Sequence, residues 1–471
     1  MQASTKLMSK MIKELFNEKE INTIAEDIGF KKRNGKITPV DFLSLCVFSS
    51  DEICTTALSK MCANLQKETG IIISAQGLND KFNPCATAFL KSFLERLIKK
   101  QLSTNSSKNR NYFNRIRIAD STGFKLPIQY LSIYPGTGSN DKPMSSLKIQ
   151  YEFDLLSSTI LNYKISSGTT NDASYLNVLS ETIEKDDLCL RDLGYYKLSD
   201  LSGINEKEAY YVSRLKSYSV IYSKDYAISK DKRLVRCEQG EYRRLYIDQI
   251  FNSMNPGEII DLEDVQVGNT EKLPCRLILT KLTDREKGVR LKKINNCIEK
   301  KSMKGSYSTD KFLDMSAFIT NVPKQILNSL QIYEEYSLRW QIELMFKVWK
   351  SVFKIAKNKN VKIERFHCAL YGKLISIVLS NILISRAKDI VDLSADHVLS
   401  EYKSFSIIKD RLMDIKKHIF IGVNSITRFF NNLVSVLKRT AMKSKKKGKK
   451  ISSEIVENSK LSNLELTEKP A

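Results

Sequence analysis

Apolar residues recur at helical spacing through the first hundred residues of the chain. The repeat is visible in KLMSKMIKELF, in VDFLSLCVF and in ATAFLKSFLERLIKK, where residues three and four apart are apolar. Thr38 and Pro39 predict a helix start, because threonine caps a helix and proline suits its first turn. Residues 74–82 would follow a short turn as a further helix. The pattern predicts a helical domain over residues 1–107, either with a helix-turn-helix or as a plain small bundle.

The pattern changes after a polar, turn-rich stretch at 102–111, which we interpret as a linker. Residues 115–120 alternate as a strand does and end on the carboxylate of Asp120. LKIQYEFDLL and TILNYKIS predict two more strands, and residues 172–185 predict a helix. LCLR then predicts a short buried strand that ends on Asp192. Two carboxylates therefore follow the first and the fourth predicted strands.

Residues 216–310 are rich in Tyr, Lys and Arg, and short alternating runs such as RRLYIDQIF and CRLILTKL predict a β-rich insertion. A returning strand is predicted at 318–321, and a long helical region follows over 326–439. The tail after Thr440 opens with KSKKKGKK and ends polar, which predicts disorder. Its lysines either contact phosphates or are simply solvated.

The charge of the chain is strongly unbalanced. Lys and Arg number 76 against 53 Asp and Glu, for a formal net charge of +23. Such an excess indicates a polyanionic partner or a strongly solvated surface. Nucleic acid is the leading partner, because Lys and Arg gain affinity by neutralising phosphates.

Several classes of protein do not fit this composition. The longest apolar segment, around 374–384, is too short for a membrane span, and the N-terminus lacks the apolar core of a signal peptide. The nine cysteines include no CxxC pair, which indicates a reducing cytosol and argues against disulfides or structural zinc. Only His367, His397 and His418 are histidines, so we expect the chemistry to rest on carboxylates.

The segment YSLRWQIELMFKVWK carries an unusual polar stripe. At 100° per residue, four of its side chains fall within roughly 60° on one helix face. They are Tyr336, Arg339, Glu343 and Lys350, with Lys347 close by. A core face would be apolar, and a solvated face would not need Trp340 and Phe346 beside it. Taken alone, the segment would be interpreted as a surface helix with an i,i+4 ion pair between Arg339 and Glu343.

The segment does not stand alone, since the chain resembles the insertion-sequence-four family of DDE transposases. The family's mark is Tyr, two residues, Arg, three residues, Glu, six residues and Lys, and it is complete here. Asp120-Ser121-Thr122 resembles the segment of the first catalytic aspartate. DLGYY, from Asp192 on, resembles the second, and YVSRLK at 211–216 resembles the strand before the family's insertion. The resemblance spans roughly residues 35–400.

One feature departs from the family. Some relatives use a tryptophan in the insertion to hold a flipped base. Both tryptophans of this chain, Trp340 and Trp349, lie in the signature segment. A Tyr or Phe would have to take that role, or it is not filled.

The resemblance implies an α/β fold with a ribonuclease-H-like, mixed five-stranded core, a β-rich insertion and helical regions at both ends. In chain order, the implied segments are a helical N-terminal DNA-binding domain at 1–107, a catalytic core at 108–215 and 311–390, the insertion at 216–310, a helical C-terminal region at 391–440, and a basic, disordered tail at 441–471.

The resemblance also implies the chemistry. Asp120, Asp192 and Glu343 would be both catalytic residues and metal ligands, because crowded carboxylates repel and attract divalent cations. Hard oxygen ligands select Mg²⁺, with Mn²⁺ as a substitute, and two ions would serve each site. Tyr336, Arg339, Lys347 and Lys350 would hold DNA phosphates near the cut.

The expected partners are double-stranded DNA, as transposon ends and as target, and a second copy of the chain in a dimer across two paired ends. The apolar region at 374–439 would form the dimer surface or complete the core. We expect a bacterial cytoplasmic protein that joins the nucleoid when bound to DNA. The alternatives are a ribonuclease-H-fold nuclease without strand transfer, a transposase-derived DNA-binding protein that no longer cuts, and a basic scaffold or ribosome-associated protein.

Four other acids receive structural interpretations. Asp154 is predicted to be a turn acid, Asp172 a helix cap and Asp187 a loop residue. Asp186 is a weak alternative to Asp192, because no apolar strand precedes it.

Overall fold

The computed structural model describes residues 2–33, 35–104, 111–139, 141–216, 218–229, 233–237, 240–301, 314–391, 397–444 and 450–460. The chain divides into two compact units, each built from three separate stretches. The first unit holds Met1–Lys108, Ser121–Thr170 and Gln341–Lys449. The second unit holds Asn109–Asp120, Asn171–Trp340 and Lys450–Ala471. The predicted linker at 102–111 lies almost entirely outside the described residues.

The described residues form helices and strands with the following bounds. The helices are α1 (Gln2–Leu15), α2 (Glu18–Asp27), α3 (Pro39–Phe48), α4 (Ser50–Ile53), α5 (Leu58–Thr69), α6 (Ala75–Lys81), α7 (Pro84–Thr104), α8 (Leu176–Glu181), α9 (Leu198–Glu206), α10 (Ile247–Ser253), α11 (Asp284–Lys301), α12 (Ser329–Ser337), α13 (Gln341–Ser351), α14 (Ile363–Ile390), α15 (Glu401–Asp410), α16 (Leu412–Ile421), α17 (Val423–Thr440) and α18 (Ser452–Val456). The strands are β1 (Arg115–Leu126), β2 (Ser145–Asp154), β3 (Thr159–Ser167), β4 (Asp187–Arg191), β5 (Tyr210–Arg214), β6 (Ile221–Ser223), β7 (Tyr226–Ile228), β8 (Leu234–Arg236), β9 (Arg243–Leu245), β10 (Ile259–Val267), β11 (Leu273–Lys281), β12 (Met315–Thr320), β13 (His397–Leu399) and β14 (Met442–Ser444).

The N-terminal stretch is helical, as predicted. Thr38 caps α3 with a reciprocal pair of hydrogen bonds, in which its hydroxyl accepts from the Asp41 N–H and its own N–H donates to the Asp41 carboxylate. Ser74 caps α6 by accepting from the Gly77 N–H at 3.1 Å. Helices α5 and α6 flank a turn that begins at Gly70, whose φ of +74° favours glycine. A DNA-binding role for this region stays a prediction.

Helix α14 forms the core of the first unit. It packs against α3, α4 and α7, and a Cβ at Gly372 would lie 2.0 Å from the Cys46 carbonyl oxygen, so only glycine permits this approach. Among the described residues it is the one helix long and apolar enough to cross a membrane, yet 89% of its apolar window is buried. The apolar residues at 374–384 therefore complete the core and do not form an exposed dimer surface.

The second unit is organised around a mixed sheet. Its strand order is β1-β4-β5-β12-β11-β10-β6-β9, in which β1, β4 and β5 are parallel and the later neighbours are antiparallel. In the first unit, the antiparallel pair β2 and β3 continues from the second half of β1. The predicted strands, the β-rich insertion and the returning strand β12 are confirmed. Because β12 pairs with β5 and carries the insertion strands with it, this sheet is larger than the predicted five-stranded core.

Three predicted elements differ from the structure. Strand β1 does not end at Asp120 but continues to Leu126. The helix predicted over 172–185 is a 3₁₀ turn at Asp172–Tyr175 followed by the short α8. Within the region predicted to be a disordered tail, β14 pairs with β13, and residues 450–460 contain α18 and contact α12. The lysine run itself lies largely outside the described residues.

Candidate active site

A buried ion-pair cluster fixes the register of the two parallel strands that precede the predicted aspartates. Asp187, the first residue of β4, is fully buried and accepts two hydrogen bonds from Arg115, at 2.7 and 2.6 Å. Arg117, also fully buried, donates to the same carboxylate at 3.1 Å. The prediction that Asp187 lies in a loop was therefore wrong. A buried carboxylate with two arginines is stable only in one alignment, because a shift would leave charges unpaired.

This register brings the two predicted aspartates side by side. Arg115 lies opposite Asp187 and Ala119 opposite Arg191, so one residue further the same offset places Asp120 beside Asp192. Adjacent strands are about 4.8 Å apart, and in-register residues of parallel strands share a face. The two carboxylates therefore meet at one edge of the sheet in the second unit.

Arg339 supplies positive charge to this pair. Its Nη1 lies 3.3 Å from Oδ2 of Asp120, and both side chains are mostly shielded, with 17% and 20% of their surface exposed. Asp192 is more exposed than Asp120. A guanidinium beside one of two neighbouring carboxylates lowers their mutual repulsion.

Tyr336 contacts the end of β4 directly. Its hydroxyl donates to the Arg191 carbonyl oxygen at 3.4 Å, and its ring packs on Phe318 with centroids 5.0 Å apart. Burial is the main cause that raises the pKa of Tyr336 to about 12, while Arg339 opposes the shift and Asp192 adds to it. The hydroxyl is therefore a protonated donor one residue before Asp192.

Sequence reasoning missed a second anchor of β4. Arg191 Nη1 lies 2.5 Å from Oδ2 of Asp200 in α9, and both side chains are buried. Nothing in the spacing of the two residues signals this pair, because the contact depends on how α9 packs beside the strand. It holds the strand end that carries Asp192.

The signature segment is not one uninterrupted α-helix. Helix α12 ends at Ser337, a 3₁₀ turn covers Leu338–Trp340, and α13 begins at Gln341. A 3₁₀ turn advances about 120° per residue, so the single 60° stripe predicted for an ideal helix does not continue through the turn. The boundary between the two units also falls here, after Trp340.

Helix α13 presents the remaining signature residues on its exposed face. Glu343, Lys347 and Lys350 are exposed, and the Lys347 ammonium lies 5.4 Å from the Tyr402 ring centroid. Desolvation by neighbouring groups lowers the pKa of Lys350 below its ordinary value. The opposite face is apolar and packs Phe346 and Trp349 against Tyr151, with ring centroids 4.8 to 6.2 Å apart.

Asp120 and Asp192 have the donor chemistry of a magnesium site, since both offer carboxylate oxygens from one sheet edge. In the part of the chain that the structure describes, no three His, Cys, Asp or Glu side chains form a group able to hold a metal ion. The aspartate pair thus fits as part of a metal site, with Arg339 now beside one ligand. Glu343 as the third ligand stays a prediction.

The other acids and the aromatic residues have clear places. Asp154 is a turn acid, as predicted, and accepts from the N–H groups of residues 156 and 157. Asp172 is not the cap, because the Asn171 side chain accepts from the Ala173 N–H. Trp349 is buried and Trp340 is exposed. The insertion exposes large aromatic side chains, which are Tyr218, Tyr242 and Tyr246.

Comparison with known proteins places this site in a family. Residues 111–379 match the family model described as a transposase DDE domain. The transposase for insertion sequence element IS1151 of Clostridium perfringens is 36% identical over 470 residues, 99% of each chain. The transposase for IS231E of Bacillus thuringiensis subsp. finitimus is 34% identical over 433 residues, 91% of this chain and 90% of that relative.

A solved structure of piggyBac transposase, in a synaptic complex with hairpin DNA, aligns at 12% identity with a TM-score of 0.41. The alignment covers 98% of this chain and 85% of that one. This TM-score is too low to indicate a common fold.

The family match covers more than half of the chain and the relatives cover nearly all of it, so the chain belongs to the DDE transposases. It is an insertion-sequence transposase, an enzyme of DNA transposition that acts on DNA and depends on divalent metal.

Proposed function

We propose that this transposase is of the insertion-sequence-four type and has a ribonuclease-H-like core. The order of Tyr336, Arg339, Glu343 and Lys350 supports the type. Two observations support the core: the parallel strands β1, β4 and β5 of the second unit, and the antiparallel pair of β2 and β3 in the first.

The catalytic carboxylates in this proposal are Asp120, Asp192 and Glu343. The observation that carries it is the register of β1 and β4, which sets Asp120 beside Asp192 with Arg339 3.3 Å from the first. Two Mg²⁺ ions, or Mn²⁺ in their place, would supply Lewis-acid chemistry to the attacking and leaving oxygens of an in-line displacement at phosphorus.

The basic and hydroxyl groups of the signature position the DNA. Arg339, Lys347 and Lys350 bind phosphate oxygens near the cut, and such contacts fix position more than sequence. Before DNA binds, Arg339 is paired with Asp120, so the guanidinium exchanges a carboxylate for a phosphate when the site fills. Tyr336 lies between these roles, because its hydroxyl already contacts the backbone beside Asp192 and adds a donor toward a nearby phosphate.

The proposed reaction is cut-and-paste transposition in successive displacements. Water attacks the phosphate at the transposon end and frees a 3′-OH. That 3′-OH attacks the opposite strand to form a hairpin, which a second water reopens, and the freed 3′-OH then attacks target DNA. Each displacement makes one P–O bond and breaks one, so the reaction requires no nucleotide cofactor.

The enzyme would work as a homodimer on two paired DNA ends in the bacterial cytoplasm, associated with the nucleoid when bound. Light scattering of the full chain, with and without end DNA, tests the dimer. A monomer under both conditions would refute it.

The decisive experiment is cleavage of a labelled duplex that carries the element's own end, in the presence of Mg²⁺. Glu343→Gln keeps the size of the side chain and removes its charge. We expect binding to persist and cleavage to fall by roughly a thousandfold or more, the value of several kcal/mol of transition-state stabilisation. Glu95→Gln is the matched control, since it removes a half-exposed helix glutamate of the same unit.

The same assay with Asp120→Asn and Asp192→Asn extends the test to the aspartate pair. If Glu343→Gln cuts at the rate of the unchanged protein, Glu343 is not a catalytic residue. If either aspartate variant does so, the paired-aspartate site is wrong.

A further inference from the structure

Helix α17 (Val423–Thr440) has two faces of opposite character. Its apolar side chains, such as Ile426, Phe430 and Leu437, are at most 4% exposed. The other face is polar, and we call it the α17 face. It consists of Asn424, Arg428, Asn432, Ser435, Lys438 and Arg439, all exposed. At 100° and 1.5 Å per residue these side chains occupy an arc of about 120° and a length of about 22 Å.

The α17 face has no negative charge of its own. The chain contains no Asp or Glu between Asp414 and Glu454, although about one residue in nine is acidic overall, and that interval holds eleven Lys and Arg. Among the described residues, Arg428, Lys438 and Arg439 form no ion pair with a carboxylate. Lys416 in the preceding helix is different, since its ammonium lies 3.6 Å from Glu68.

Helix-dipole stabilisation, membrane binding and self-association each fit the α17 face less well than a polyanionic partner does. Lys438 and Arg439 complement the dipole at the C-terminal end of the helix, but Arg428 lies about three turns earlier, beyond the reach of that effect. A membrane surface would need an exposed apolar face, and the apolar face of α17 is already buried in its unit. A symmetric contact between two copies would bring like charges together.

We propose that the α17 face is a second DNA-binding surface, which holds the phosphate backbone of duplex DNA without reading its sequence. Arg, Lys, Asn and Ser all donate hydrogen bonds to phosphate oxygens, and 22 Å corresponds to about six base pairs at 3.4 Å each. The surface lies outside the residues that match the family model. The choice of DNA as the polyanion rests on the proposed function, whereas the test below does not require cleavage.

The test is binding of a fluorescent 30-base-pair duplex of arbitrary sequence, followed by anisotropy across a range of salt concentrations. The full chain carries Glu343→Gln throughout, so that no DNA is cut. The test variant combines Arg428→Gln, Lys438→Gln and Arg439→Gln, since glutamine preserves helix propensity. We expect the slope of log affinity against log salt to fall by about 2–3, or 0.9 for each lost phosphate contact.

Two control variants define the result. Arg428→Lys, Lys438→Arg and Arg439→Lys keep every charge, and this variant should bind as the unchanged protein does. Lys197→Gln, Lys272→Gln and Lys324→Gln remove the same charge from exposed positions of the second unit, and their effect should be smaller. Circular dichroism shows whether each variant keeps its helices.

Three outcomes would overturn the proposal. They are an unchanged salt slope, an equal loss in the second-unit control, and lost binding to phosphatidylglycerol vesicles while DNA binding persists. Because cleavage is measured separately with Glu343 intact, a failure of this surface is distinguishable from a failure of the catalytic proposal.

Discussion

The two halves of the signature differ sharply in their surroundings. Tyr336 and Arg339 belong to the second unit, where the first contacts the backbone of Arg191 and the second is paired with Asp120. Glu343 and Lys350 belong to the first unit and lie on the exposed face of α13. One half is held by protein groups beside the aspartates, and the other presents its charges to the surroundings of its helix.

This difference separates two tasks that the sequence motif combines. A side chain already bound to protein fixes geometry and must exchange a partner before it binds anything else. An exposed charge on a packed helix reaches a substrate without that cost, because Phe346 and Trp349 hold the helix from its other side. The predictions below test this division.

The largest expected effect is that of Arg339→Gln. Cleavage should fall about ten- to hundredfold, because a donor to the reacting phosphate is lost. The Mg²⁺ concentration for half-maximal cleavage should also fall, by about two- to fivefold, because Asp120 no longer has a competing cation. Measured cleavage rates across a Mg²⁺ titration separate the two effects.

Arg386→Gln is the matched control for this change, since it removes an arginine that is 2.9 Å from Asp389 in α14. We expect it to change neither quantity. A rise in the Mg²⁺ requirement of Arg339→Gln would contradict the idea that Arg339 and metal compete for Asp120.

The next effect concerns Glu335, which lies beside Tyr336 and is fully buried, with neither carboxylate oxygen hydrogen-bonded within the described residues. Burial, assisted by Glu334, raises its pKa from 4.5 to about 8. Above pH 4.5 the unfolded chain loses this proton while the folded chain keeps it. Stability is therefore highest below pH 4.5 and falls as pH rises toward 8, by on the order of 2–4 kcal/mol.

Glu335→Gln should remove this pH dependence. Urea unfolding at pH 5, 6.5 and 8 should show the variant gaining on the unchanged protein as pH rises. Glu181→Gln, at an exposed position of the same unit, should follow the unchanged protein. Parallel stability curves for Glu335→Gln and the unchanged protein would show that the buried carboxyl does not hold its proton.

The smallest expected effect is that of Tyr336→Phe, which removes the hydroxyl from the Arg191 carbonyl and keeps the ring on Phe318. The free energy of unfolding should fall by about 0.5–1 kcal/mol, and cleavage by about two- to fivefold. Tyr333→Phe is the control, since its ring also contacts Phe318 but its side chain is 53% exposed. Equal losses in both variants would mean that the hydroxyl does not anchor β4.

The sequence alone was sufficient for features that depend on neighbours along the chain. Residue spacing predicted the N-terminal helices, the capped start at Thr38, the β2 and β3 hairpin and the strand that leads to Asp192. The order of the acids and the signature pointed to a DDE transposase, which the relatives confirm. Caps, turns and alternation are local, so each is visible within a few residues.

Tertiary structure decided what depends on residues distant in sequence. The pairing of Asp187 with Arg115 and Arg117 sets the register that aligns the aspartates, and spacing gave no sign of it. The 3₁₀ turn at Leu338–Trp340 and the pairing of Arg339 with Asp120 likewise depend on packing. A motif fixes which groups a site contains, whereas the packing of distant segments determines which of them are bound to protein and which are presented to DNA.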